Sequence, residues 1–124
     1  FVVTYGGATP SNVGFAAVTV KSVDQTTPIL ASAVNAINAA TPNPLPTPVA
    51  VTADGLAIAA AISGNASTFT RNNGWTEGTD QKLSSSNPSS ADHAVTANGT
   101  DMASATCSSQ NKQAIVSVSL SVSR

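Results

Sequence analysis

Ala114-Ile115-Val116-Ser117-Val118-Ser119-Leu120-Ser121-Val122 decides the fold class of this chain. Ala114, Val116, Val118, Leu120 and Val122 alternate with Ile115, Ser117, Ser119 and Ser121. In an extended chain successive side chains point to opposite faces, so a period of two separates an apolar face from a largely hydroxylated one. That pattern predicts a half-buried β-strand.

Working outward, the same signature recurs. Phe1–Tyr5 is aromatic and β-branched and is stopped by Gly6-Gly7. Val13–Ser22 carries apolar residues on both faces and predicts a central strand. Ile29–Ala40 fits helical spacing as well as alternation and is read as a strand because its surroundings are β. Thr41–Pro48 holds prolines at 42, 44, 46 and 48, which predicts an extended, polyproline-like connection. Pro48–Thr52 and Gly55–Ser63 read as a hairpin about Asp54-Gly55, the second arm being the most buried strand. Gly64–Asn73 and Ser84–Ser90 read as loops. Gly74–Gln81, Asp92–Ala97 and Met102–Ser108 read as strands, the last two joined by a hairpin at Asn98-Gly99. Nine short strands and no convincing helix predict an all-β, two-sheet antiparallel sandwich occupying residues 1–124 as one domain.

Composition narrows the function classes. Charged residues make up 9% of the 124 and the net charge is −1, against roughly 25% charged residues in an average soluble protein. There is no basic footprint for nucleic acid and no apolar run of membrane-spanning length, so neither partner is expected. A surface of Ser, Thr and Asn suits an extracellular, cell-surface or virion setting. Cys107 is the single cysteine, which excludes an internal disulfide and reads as a small buried hydrophobe.

Val13-Gly-Phe-Ala-Ala-Val-Thr-Val-Lys-Ser-Val-Asp-Gln-Thr-Thr-Pro-Ile29, Asp54-Gly-Leu-Ala-Ile-Ala-Ala-Ala61, Gly74-Trp75-Thr76 and Lys112-Gln-Ala-Ile-Val-Ser-Val-Ser-Leu120 resemble segments of jelly-roll β-sandwich modules. Such modules occur in bacterial secreted and surface proteins and in phage virion proteins. The resemblance runs across the chain and implies a jelly-roll-like fold. In those modules the Val-Asp-Gln-Thr-Thr-Pro turn follows several earlier strands, whereas here it stands at Val23. The resemblance therefore implies a C-terminal part of a larger module, with the missing strands in a preceding segment or a neighbouring subunit.

Few residues offer chemistry. His93 is the single histidine, and its neighbour Asp92 points to the opposite strand face, so a Ser–His–Asp arrangement is not expected. Glu77 and Asp80, three apart, fall on opposite faces of a strand and do not make a glycosidase pair. Asp24, Asp54 and Asp101 read as turn residues whose side chains bond the backbone. One His and one Cys exclude a zinc site, and no catalytic residue, metal or cofactor is expected. Asn65 and Asn98 begin glycosylation sequons, a pattern expected by chance in so Ser-, Thr- and Asn-rich a chain.

The expected function is a non-catalytic structural or attachment module of an assembly: a phage capsid decoration, a head or tail fibre component, or a surface filament. Its partners are other copies of itself or other structural proteins, met by β-edge and apolar contacts through Phe1, Val3, Tyr5, Val116, Val118 and Leu120. The alternative is a carbohydrate-binding module meeting surface glycans with Trp75 and Tyr5, aided by Arg71, Asn73 and Glu77. Against it, a lone large aromatic more often packs into the core.

Overall fold

A computed structural model describes residues 6–7, 17–109 and 112–123. Its nine strands are β1 (Ile29–Ile37), β2 (Thr47–Val51), β3 (Leu56–Ser63), β4 (Phe69–Arg71), β5 (Thr76–Asp80), β6 (Asn87–Ala94), β7 (Gly99–Ala103), β8 (Ala105–Cys107) and β9 (Gln113–Leu120), with no helix among the described residues. The protein is all-β and every paired strand is antiparallel. A five-stranded sheet has the order β1-β9-β3-β6-β5, and the pairs β2-β7 and β4-β8 form the facing layer. β7 and β8 are separated by Ser104 alone, so one bent segment serves both pairs.

The registers show which side chains share a face. On the side turned toward β2, β9 presents Gln113, Ile115, Ser117 and Ser119, all buried. Beside them β3 contributes Ala57, Ala59, Ala61 and Ser63, also buried. The covered side of β9 is thus the hydroxylated side. Size explains it: Ala and Ser let the facing layer approach closely, and Leu45, Val49, Val51, Phe69, Trp75 and Val95 fill the space from loops and the facing strands. The serine hydroxyls of β9 bond across the layers, Ser119 Oγ donating to Ala50 O at 2.6 Å and Ser117 Oγ to Thr47 O at 3.5 Å, while the buried Thr47 hydroxyl has no partner among the described residues. Gln113 Nε2 donates to Pro42 O at 2.9 Å and Asn35 Nδ2 to Pro46 O at 2.8 Å. Polar groups can be buried at modest cost when each finds such a partner.

Several expectations change. Neither predicted hairpin forms, because β2 pairs with β7 while β3 pairs with β6 and β9. Asp54-Gly55 still turns the chain, with Asp54 at φ 63°, but it carries it from one layer to the other. A Cβ on Gly55 would stand 2.8 Å from Thr52 O, so the crossing tolerates glycine alone. Asn98 instead accepts from Ala53 N at 2.8 Å, tying two layer crossings together. Residues 17–22 form no strand, and the bridge Val23↔Val122 is the nearest pairing. The strands expected at Phe1–Tyr5 and over 13–16 fall outside the described residues. Phe69–Arg71 and Asn87–Ser90, expected as loops, belong to β4 and β6. The proline-rich connection is not a uniform extended run: the bonds before Pro42 and Pro44 are cis, and Pro48 lies within β2. β2 pairs on one side alone, where a missing N–H is tolerated.

Candidate functional site

The side of the five-stranded sheet turned away from β2, which no strand covers among the described residues, is made from the aliphatic half of the alternation. On β9 it carries Val116, Val118 and Leu120, on β3 Leu56, Ile58 and Ile62, and on β1 Val34. Val34 is 76% exposed and Val116 42%. Toward β6 and β5 the face turns polar through Ser90, Asp92, Thr76 and Thr79. There residues 17–21 lie over the sheet and enclose a groove of about 660 Å³ floored by Leu56, Ile58 and Ala60. Leu56, Ile58, Val118 and Leu120 are half-buried while Val34, Val116 and Ile62 stay exposed, and sheets with two apolar faces are usually covered on both.

The two edges of this sheet differ. β5 carries Glu77 and Asp80, and its pairing with β6 shifts register between Glu77 and Thr79. Charge and a bulge are the usual defences of an edge against further pairing. β1 has neither charge nor proline, and from Ala31 to Ile37 it keeps an unbroken register with β9. β9, expected to offer an edge, is flanked by β1 and β3. Val116, Val118 and Leu120 are therefore presented by their side chains, with the backbone between them already paired. Phe1, Val3 and Tyr5 lie outside the described residues.

The bulge in β5 also overturns the placement of its carboxylates. Glu77 pairs with Ala91 and Asp80 with Ser89, so both sit on the inner face. Asp80 accepts from Asn87 Nδ2 and from Phe69 N, and Glu77 accepts from Ser89 Oγ at 3.3 Å. Arg71 bonds Ser89 Oγ at 2.8 Å and lies over the Phe69 ring. Burial pushes the Arg71 guanidinium below its usual value, and Glu77 and Asp80 oppose that shift. These side chains close the sandwich at the β5 end and are largely occupied with one another.

Trp75 is 6% exposed, which places it in the core and withholds its ring from stacking on a sugar. Its Nε1 donates to Asp101 Oδ1 at 3.3 Å, while His93 Nδ1 lies 2.5 Å from Asp101 Oδ2. Asp101, expected in a turn, sits in β7 and holds both rings. Its part was not legible because the three residues are distant in sequence. Asp92 points to the outer face, and no serine hydroxyl is bonded to His93 in the described structure. Asn73, at φ 59°, spends its amide on Met102 O and Ser104 Oγ. Trp75, Arg71, Asn73 and Glu77 therefore do not converge on an open platform. Asn65 is half-buried and bonds Ser109 Oγ at 3.4 Å. Among the described residues no three His, Cys, Asp or Glu side chains gather as a metal site.

Comparison with protein-family models, curated proteins and solved structures finds no match for this chain.

Proposed function

We propose that the protein is a non-catalytic, jelly-roll-like structural module of a virion or cell-surface assembly, and that it meets neighbouring subunits through the uncovered face of its five-stranded sheet. The observation that carries this reading is the aliphatic surface of β1, β9 and β3, with Val34 76% and Ile62 46% exposed. The strand order supports the jelly-roll part of the proposal. β1, β3, β6 and β9 lie in one layer and β2, β4 and the β7–β8 segment in the other, so the chain repeatedly crosses between sheets as a rolled-up β-structure does. The low charge of the chain supports a contact role, since few desolvated charges oppose association.

Sedimentation velocity across roughly 2–200 µM, a range that brackets weak subunit contacts, tests the proposal. The wild type is expected to form species larger than the monomer, and Ile62→Lys to shift the distribution back toward it. A wild type that stays monomeric throughout overturns the reading.

A further inference from the structure

We infer that β1 is a homotypic contact: β1 of one copy pairs antiparallel with β1 of a second copy about Val34, joining two five-stranded sheets into one of ten. This rests on the proposed assembly role and names the partner. Three observations carry it. First, the two edges are unequal, with Glu77, Asp80 and a register shift on β5 and an uncharged, proline-free run on β1. A neutral edge suits a neutral partner, and another copy of the same strand is one that carries no charge to desolvate.

Second, the regular part of β1 is self-complementary about its middle. Its unbroken register runs from Ala31 to Ile37, whose centre is Val34. A two-fold pairing there sets Val34 against Val34 of the second copy, Ser32 against Ala36, Ala33 against Asn35 and Ala31 against Ile37. No like charges meet, and the side chain with 76% exposure gains an apolar cross-strand neighbour. Contacts of this kind are isologous and closed, so they end at a dimer.

Third, directly opposed residues in an antiparallel pair project to the same side of the sheet. Pairing about Val34 therefore places the aliphatic faces of both copies side by side. Val34, Val116 and Ile62 from each copy become one continuous surface, which is the face proposed above to meet further subunits.

The test is a charge exchange at one exposed position. Val34→Lys and Val34→Glu each oppose a like charge to itself across the two-fold. Each alone is expected to weaken dimerisation by at least about tenfold, and an equimolar mixture to restore a heterodimer. Hydrogen exchange of the wild-type 29–37 peptide, followed by mass spectrometry, provides a measurement that needs no variant: its protection should rise with protein concentration. If the wild type associates, yet both variants associate equally well and this peptide shows no concentration dependence, the β1 pairing is wrong while the assembly role stands. If the wild type never associates, both fall together.

Discussion

Replacing Ser119 by Val improves the hydrophobic count of β9 and should nevertheless destabilise the protein. Ser119 is 2% exposed, lies between Ala31 and Ala57 in the sheet, and faces β2. Its Oγ donates to Ala50 O at 2.6 Å. Valine adds one heavy atom where neighbouring side chains are already small and the layers close, a change that costs about 1–3 kcal/mol. It also removes the hydrogen bond to Ala50, worth about 1 kcal/mol net. Together these give a loss of about 2–4 kcal/mol. At about 2.1 cal/mol/K of unfolding entropy per residue, a chain of 124 residues loses about 4 °C in Tm for each kcal/mol. The expected drop is thus about 8–16 °C. The matched control is Val116→Ser on the outer face, where 42% of the residue is already exposed and the cost is about 1 kcal/mol. Scanning calorimetry of both variants at low micromolar concentration, where association contributes least, reads the two shifts directly. A Ser119→Val protein that melts at or above the wild type, or below it by less than Val116→Ser, would refute the inverted packing of the faces.

Asp101→Ala should lower the urea midpoint by an amount worth about 2–3 kcal/mol with the slope unchanged, because Trp75 Nε1 and His93 Nδ1 both lose their acceptor; Trp75 emission should change in the folded variant. Asp24 accepts from Thr26 N at 2.7 Å and Thr27 N at 2.8 Å, and these bonds, chiefly that from Thr27, hold its carboxyl below the usual carboxylate range. A carboxyl whose folded pKa is depressed stabilises the fold above its unfolded value, near 3.9, and that contribution is lost as pH falls through the folded value. The Tm gap between wild type and Asp24→Ala should therefore be present at pH 7 and close only as the pH falls below the usual carboxylate range, and a gap unchanged by acid would contradict the turn geometry.

How far the sequence carries can be seen strand by strand. β9 and β3 are legible from their long alternation, β2 from the turn signal that follows it, and β1, whose spacing fits a helix as well, from its β surroundings; β3 lies at the centre of its sheet as its two apolar faces predict. β4 is hidden because three residues cannot show a period. The start of β6 is hidden because Asn87-Pro-Ser-Ser has the composition of a loop; it is held by Asn87 bonding Asp80 and Ser89 bonding Arg71, contacts between residues far apart in sequence. Asp-Gly and Asn-Gly report that the chain turns, and both do mark turns or layer crossings. They do not report which layer the next strand joins, since that depends on partners supplied from elsewhere in the chain. The same limit hides the Glu77–Asp80 side, which a single inserted residue at Gly78 inverts.

For the candidate surface, the alternation separates two sets of side chains but does not say which set is covered. Hydrophobicity alone favours burying Val116, Val118 and Leu120. The structure covers Ile115, Ser117 and Ser119 instead, because two β-layers that meet through Ala and Ser can bond across the gap, as Ser119 does to Ala50. On the far side Leu56, Ile58, Val118 and Leu120 are already half-buried, whereas Val34, Ile62 and Val116 keep 76%, 46% and 42% exposure and add little to the stability of one copy. Their contribution is realised when something covers them. A surface that is costly to expose and an edge that carries no defence occur on the same three strands, while the opposite edge is charged and bulged. Chance would distribute those two liabilities independently. Their coincidence on β1 and its neighbours is why association, and not a pocket of side chains, carries the functional argument.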